Sequence, residues 1–345
     1  MLKQASFANF TCLPDSVWHF SPGLNIIVGE NGVGKSHVLK ALYALLKVQK
    51  DNAEPSKASL EKAYAEKLVA VLRPESLGRL AKRRQGRARC EIALEFKDHS
   101  HNCSINFATN AKTQVDIFTA PSKTLHQAPA FFPTRELVTL CPWFLSLYDN
   151  YHLEFEETWR DTVSLLGGPS IKGPREKEIS HLLAPLEDVM GGKVVVDSQS
   201  GRFYLHVPGE GRLEMPLIAE GLRKLAMLAR LISTGVLLDQ GYLFWDEPEA
   251  NLNPRIVKTV AASIVAIARA GVQVFISTHS LFLLRELEML QPRHPQVPCR
   301  WFALAAHANG VTLEQSDHVD GLETLVSLDE ELSQSDRFLQ LEPDI

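Results

Sequence analysis

The chain predicts an α/β fold with a mixed central sheet, an antiparallel β-lobe and an inserted helical lobe, and three observations carry that reading. An apolar run, "GLNIIVGE", ends in a glycine-rich turn and is followed by "SHVLKALYALLKV", whose apolar residues recur at helical spacing. Far along the chain the pattern returns as strand, helix and strand in "GYLFWDE", "PRIVKTVAASIVAIARAG" and "VQVFISTHS". Such alternation points to parallel strands with helices on the sheet faces. Composition agrees: 345 residues, 45% hydrophobic and 22% charged, hold enough apolar material for one large core or two intimate lobes.

In chain order, "KQASFANFTC" and "SVWHF" read as two strands joined by the turn-prone "LPD", and "GLNIIVGE" as a third. Residues 51–90 are rich in Lys, Arg, Ala and Leu and read as helical material. The runs "CEIALEFKD", "SINFAT", "QVDIFTA" and "APAFFPTREL" read as short strands of the antiparallel lobe. From 142 to 190 the spacing is helical again, and "GKVVVDS" with "GRFYLHVPG" forms a hairpin. The helix "EGLRKLAMLARLISTGVL" then leads into the strand–helix–strand run. A single domain, 1–345, is expected. Its core is 1–48 and 205–285, with a helical insertion at 49–90, a β-lobe at 91–140, a helical lobe at 141–204 and a C-terminal segment at 286–345.

Net charge of −5 and a pI near 6.2 do not advertise nucleic acid by bulk charge, so any such surface must be local. The run at 79–89, "RLAKRRQGRAR", holds six Arg or Lys in eleven positions. It suits a DNA phosphate backbone, an acidic partner, or a solvated helix face. Cys12, Cys90, Cys103, Cys141 and Cys299 are scattered without zinc-type spacing, which fits reduced thiols in a cytoplasmic protein. No run approaches the roughly 20 apolar residues that span a bilayer, and the first residues lack a leader pattern.

Three motifs carry chemistry. "GENGVGKS" (29–36) follows a strand and opens a helix, the context a phosphate loop requires. Gly29, Gly32 and Gly34 let the backbone turn so that its N–H groups, with those of Glu30, Asn31 and Val33, converge on phosphate oxygens. The helix beginning at Lys35, Ser36 and His37 adds its positive end. Lys35 suits the β- and γ-phosphates of ATP, and the Ser36 hydroxyl suits Mg2+. The second motif, "YLFWDEPEANLNP", delivers Asp246 and Glu247 to a strand's C-terminal end, where α/β sheets bind ligands. Asp246 suits the metal shell and Glu247 the orientation or deprotonation of attacking water, although such a pair can also cap the next helix. The third, "VQVFISTHS", places His279 at another strand tip, within reach of a γ-phosphate if it is not simply structural.

Together "GLNIIVGENGVGKSHVLKALYALL", "YLFWDEPEANLNP" and "VFISTHS" make the chain resemble P-loop NTPases of ABC-ATPase type in the SMC, RecF and OLD group. It is most similar to compact OLD-like AAA ATPases of bacterial defence systems, which "FFPTREL" at 131–137 also resembles. The resemblance implies two copies sandwiching two ATP molecules, each nucleotide meeting a signature segment of the opposite subunit. The matching segment is "IAEGLRKLAML" at 218–228. Gly221 matches the family's second glycine, Ala219 stands where a serine is usual, and Glu220 replaces a glycine. Arg223 or Lys224 are the nearby charges. Asn251 and Asn253 fall where the family's dimer-facing D-loop lies, and "PTRE" near its Q-loop.

The expectation is a cytoplasmic ATPase, homodimeric or in a higher assembly, whose ATP-driven closure controls a partner in anti-phage defence or DNA maintenance. The tail after His279, about 60 residues in this sequence, lacks room for the Toprim nuclease of OLD proteins, so an effector nuclease or toxin is expected as a separate polypeptide. Two other readings share the motifs: the energy-coupling subunit of a membrane transporter, and a slowly hydrolysing ATP sensor, which Ala219 favours.

Overall fold

The computed structural model describes residues 1–52, 56–82, 88–151, 153–238 and 241–341. Strands β1 (Leu2–Ala8) and β2 (Ser16–His19) pair antiparallel, and β3 (Leu24–Gly29) leads through the glycine loop into α1 (Lys35–Asp51) and then α2 (Lys57–Leu72). Next come β4 (Cys90–Phe96), β5 (Cys103–Phe107), β6 (Asp116–Thr119) and β7 (Ala130–Phe132). Helices α3 (Cys141–Tyr151), α4 (Glu157–Leu166) and α5 (Pro174–Met190) precede a small sheet of β8 (Lys193–Val196), β9 (Phe203–Val207) and β10 (Gly211–Glu214). The chain then runs α6 (Glu220–Ser233), β11 (Tyr242–Asp246), α7 (Pro254–Arg269), β12 (Gln273–Thr278), α8 (Leu281–Leu290), β13 (Cys299–His307), β14 (Gly310–Ser316) and α9 (Val326–Gln340).

The central sheet has the order β14-β13-β3-β12-β11-β7 and is parallel except for β14, which pairs antiparallel with β13. Side chains alternate across it, as a pleated strand requires. Leu24, Ile26 and Val28 of β3, Leu243 and Trp245 of β11, and Val274 and Ile276 of β12 face a core shared with α5, α6, α7 and α8. Ile27, Phe244 and Phe275 face the opposite core, shared with α1, α2 and the antiparallel sheet. Burial on both faces explains why these strands read as unbroken apolar runs.

Two sequence expectations change. The run at 130–132 was expected in the antiparallel lobe, yet β7 pairs parallel with β11 at the edge of the central sheet. All three of its residues are buried, which a strand of a half-solvated antiparallel sheet would not require. The antiparallel sheet, of order β2-β1-β4-β5-β6, instead draws β1 and β2 from the segment 1–48. The C-terminal segment also supplies β13 and β14 to the central sheet, beside β3. Of the basic run, residues 83–87 lie outside the described residues. Of its three described cations, Arg79 pairs with Glu75 at 2.7 Å and Arg89 with Asp116, so these two already have anionic partners. Among the described residues no helix is long and apolar enough to cross a membrane.

Buried polar joints fix the lobes to the sheet. Gln273, fully buried, donates to the carbonyls of Leu2 (2.7 Å) and Ser21 (2.8 Å) and accepts from the Leu2 N–H (2.9 Å), tying β1 to β12. Asp161 of α4 accepts from Tyr43 Oη of α1 and Lys67 Nζ of α2, each at 2.6 Å, so one carboxylate joins three helices. Burial and the Asp161 charge both raise the Tyr43 phenol well above its ordinary value, keeping it a donor. The Thr162 hydroxyl, 2.5 Å from the Phe131 carbonyl, anchors the same helix to β7.

Removing Asp161 would leave the buried Lys67 ammonium with Glu157 alone, 3.3 Å away, and the Tyr43 hydroxyl without its acceptor, so Asp161→Ala is expected to cost about 2–3 kcal/mol, measured by chemical denaturation. Alkaline pH should also weaken the fold. Burial pushes the Cys103 and Cys299 thiols from 9.0 up to about 12, and raises Cys90 further. A raised folded pKa leaves stability intact below about 9, where unfolded thiols begin to ionise, and removes up to ~1.4 kcal/mol per thiol for each pH unit above that. Melting temperatures recorded from pH 8 to 10.5 should fall progressively, and less steeply in Cys103→Ala.

Candidate functional site

Strand β3 is buried along its whole length and releases the chain at Gly29. A Cβ at Gly29 would lie 2.4 Å from the Leu304 carbonyl oxygen, so β13 admits only glycine there. Gly34 turns through φ +98°, where a Cβ would meet Leu13 Cδ2 at 2.7 Å and Cys12 Sγ at 2.9 Å. Gly34 is also the N-cap of α1 and supplies no side-chain acceptor, so the first amides of that helix have no side-chain cap. Uncapped amides at a helix start attract an anion. Asn31 and Gly32 are exposed, whereas the Val33 side chain is buried in the core and can offer only its backbone to a ligand. The Glu30 carboxylate accepts from the Ala306 N–H at 3.2 Å.

Lys35 is 5% exposed, and its ammonium donates to the loop's own carbonyls at Gly29 (2.7 Å) and Glu30 (2.8 Å). Burial lowers its pKa, opposed by Glu247 first, then Asp246, Glu249 and Glu30. The glycine-loop lysine therefore shares its field with carboxylates more than 200 positions downstream in the sequence. Asp246 is likewise felt at His37, whose pKa burial and Lys40 lower and Asp246 opposes. Helix α1 itself packs against β11 and β12.

Asp246, largely buried, accepts the Ser277 hydroxyl of neighbouring β12. Glu247 lies beyond the strand in a left-handed conformation, φ +48°, with its N–H bound to the Ser277 carbonyl at 3.0 Å. Its Oε1 lies 3.1 Å from His279 Nδ1. A carboxylate only accepts, so Nδ1 carries the proton in this pair and Nε2 is left to face outward. Among the described residues no group of three or more His, Cys, Asp or Glu is arranged to hold a metal unaided. One carboxylate and one hydroxyl are the donor set expected for Mg2+ that also binds substrate phosphates.

Sequence reading missed Glu249. It is 8% exposed, its Oε1 accepts from the Thr278 hydroxyl (2.6 Å) and the His279 N–H (3.4 Å), and its Oε2 is buried without a hydrogen-bond partner among the described residues. The signal was the second glutamate of "DEPE", two positions beyond Glu247.

The segment at 218–228 meets the same place from behind. Gly221 packs against Leu252 and the Asn251 carbonyl, and Glu220 accepts from Asn251 Nδ2 at 3.1 Å. Arg223 pairs with Glu136 of the "PTRE" stretch at 3.0 Å. Lys224 is not the free cation that the sequence suggested. It is buried, its ammonium donates to the carbonyls of Glu247 (2.8 Å) and Ala250 (3.2 Å), and burial pushes its pKa down to about 8 against the pull of Glu249, Glu247, Asp246 and Glu220. Asn253 is engaged too: its side chain caps α7 by accepting from the Ile256 N–H at 3.1 Å. Asn251 is exposed, at φ +62°.

Residues 1–135 match a family described as "AAA ATPase domain", and residues 126–285 match one described as "AAA domain, putative AbiEii toxin, Type IV TA system". No curated protein sequence matches the chain. Among solved structures, the fold is similar to an Smc head bound to the C-terminal winged-helix domain of ScpA, with a TM-score of 0.57, 14% identity, and 93% of this chain and 98% of that one covered. An Smc head with an extended coiled coil, bound to the C-terminal domain of ScpA and derived from Pyrococcus furiosus, gives 0.53, 13%, 96% and 99%. The SMC head domain from Thermotoga maritima gives 0.51, 12%, 91% and 98%.

The glycines of the loop should separate by mechanism. Gly34→Ala meets both backbone strain and steric overlap and should cost about 2–4 kcal/mol, whereas Gly32→Ala, with nothing within 4 Å of its new methyl, should cost about 1 kcal/mol from strain alone. Urea midpoints of the two variants measure the difference.

Proposed function

We propose that this chain, with AAA-type ATPase matches over 1–135 and 126–285 and a fold similar to the SMC heads, binds and hydrolyses ATP and uses the nucleotide state to govern the pairing of two copies and a partner effector. The observation that carries the catalytic reading is the convergence of the Lys35 loop with Asp246, Glu247 and His279 at the C-terminal ends of the adjacent parallel strands β3, β11 and β12. In this reading the amides of residues 29–37 and the Lys35 ammonium hold the phosphates, with Lys35 leaving its two loop carbonyls for them. Ser36 and Asp246 would hold Mg2+, which when bound neutralises charge on the β- and γ-phosphate oxygens. Glu247 orients and deprotonates the attacking water. His279 donates from Nδ1 to Glu247 and so fixes that carboxylate beside the γ-phosphate.

Pairing of two copies through the segment around Gly221 is supported by its place on the α6 N-terminus, a natural anion site. ATP can then favour the closed pair because its γ-phosphate meets both subunits. Two of the similar Smc heads are bound to domains of ScpA, which supports a protein partner for this chain as well, an effector nuclease or toxin in defence or DNA maintenance. A slow ATP sensor is favoured by one feature: Ala219 caps α6 without a side-chain hydroxyl, and Glu220 is held by Asn251.

Lys35→Ala is expected to weaken ATP binding at least about 100-fold. Glu247→Gln should bind ATP within about threefold of the unmutated protein while its single-turnover hydrolysis falls about 100- to 1,000-fold. Equilibrium binding and quenched-flow hydrolysis with Mg2+ distinguish the two. An unmutated chain that neither binds nor hydrolyses ATP would sink the proposal, and tight binding with negligible turnover would select the sensor.

A further inference from the structure

We propose that Lys224 is a positioning residue for hydrolysis: from inside its own subunit it clamps the backbone that carries Glu247, and so ties the signature-position helix to the catalytic carboxylate. This rests on Glu247 activating the water, as proposed above.

The turn from Glu247 to Asn251 is an awkward piece of backbone. Glu247 and Asn251 are both non-glycine residues in the left-handed region, at φ +48° and +62°. Such conformations persist only where their surroundings over-determine them. Local hydrogen bonds run from Ala250 N–H to the Glu247 carbonyl (3.1 Å) and from Leu252 N–H to the Glu249 carbonyl (3.0 Å). Two outside braces complete it. On the β12 side, Glu249 accepts from the Thr278 hydroxyl and the His279 N–H. On the α6 side, Lys224, 2% exposed, donates to the carbonyls of Glu247 and Ala250, the first and fourth residues of the turn.

A backbone carbonyl pair demands donors, but not a full charge, and a buried ammonium is an expensive way to supply them. Its use makes sense where several carboxylates would otherwise repel one another. Asp246, Glu247, Glu249 and Glu220 all act on Lys224. The ammonium thus offsets repulsion among these carboxylates while fixing, through the Glu247 and Ala250 carbonyls, the direction in which the Glu247 side chain leaves the backbone. The same helix begins at Glu220, held to Asn251, and Gly221 lies against the Asn251 carbonyl. A shift of α6 when its N-terminus meets a phosphate is therefore passed to Glu247 through Lys224.

The test uses the full chain, with melting temperature, equilibrium ATP binding and single-turnover hydrolysis measured for Lys224→Met, Lys224→Gln, Glu247→Gln and the Lys224→Met/Glu247→Gln pair. Lys224→Met should bind ATP within about threefold and hydrolyse it about 10- to 100-fold more slowly. The double variant should hydrolyse within about twofold of Glu247→Gln alone, because a residue that acts through Glu247 has nothing further to lose. Lys224→Gln keeps a donor too short to reach both carbonyls and should fold with an intermediate rate, covering the case in which Lys224→Met does not fold. The inference is overturned if either folded Lys224 variant hydrolyses at the unmutated rate while Glu247→Gln is impaired. It is also overturned if affinity falls as far as rate, or if the two losses multiply. Absence of hydrolysis in the unmutated chain would instead remove the ATPase reading, and this inference with it.

Discussion

The pairing of β12 between β3 and β11 is the constraint on which the site depends. Parallel neighbours run in one direction about 4.8 Å apart, so the loops that leave their C-terminal ends emerge side by side. Thr278 lies opposite Val28, one residue before the glycine loop, and Ser277 opposite Asp246. No local preference could bring Lys35 to Glu247, since they belong to segments separated by two lobes. The ladder does so by register, and a slip of one residue on β12 would turn the Ser277 hydroxyl away from Asp246.

Because the sheet is buried on both faces, its own residues have little polar work to do until the strands end. Phe244 and Phe275 stack at 4.9 Å between centroids within one face, and Phe132 and Trp245 at 4.7 Å on the other. These apolar contacts hold the strands rigidly, and rigidity is what allows strained backbone at the edge. Glu247 keeps a left-handed conformation because Ser277, Thr278 and Lys224 all restrain the turn around it. The lobes are tied in by fewer, more polar contacts, Gln273 to β1 and Asp161 between α1, α2 and α4. Tyr43, on the helix that the glycine loop opens, joins that loop to the inserted helices through Asp161.

Much of this was legible in the sequence. The strand–glycine–helix run, the apolar strand ending in Asp246 and Glu247, and the strand tip at His279 could each be read locally, because buried parallel strands are continuous apolar runs and strand ends are marked by abrupt polarity. Strand β7 could not be assigned to its sheet: three apolar residues show no alternation, and only the parallel edge offered by β11 decides their place. Strands β13 and β14 went unread because their neighbour, β3, lies at the other end of the chain. The sequence offers Lys224 only as one of two charges near Gly221, since helical spacing does not say which residue lies over a neighbouring turn. For a similar reason the role of Glu249 as the brace for His279 carries no sequence signature, and Asn253, read from the resemblance as dimer-facing, shows only in the fold as the cap of α7.

By itself, then, the sequence determined most elements up to β12, the glycine-rich loop and its candidate acidic and histidine companions, since each is marked by patterns within a few residues. Only the tertiary structure decided which strands share a sheet, where each carboxylate finds its donor, and that Lys224 faces inward. Those outcomes depend on pairing between segments far apart in the chain, where burial decides whether a charge stands free or holds its neighbours in place.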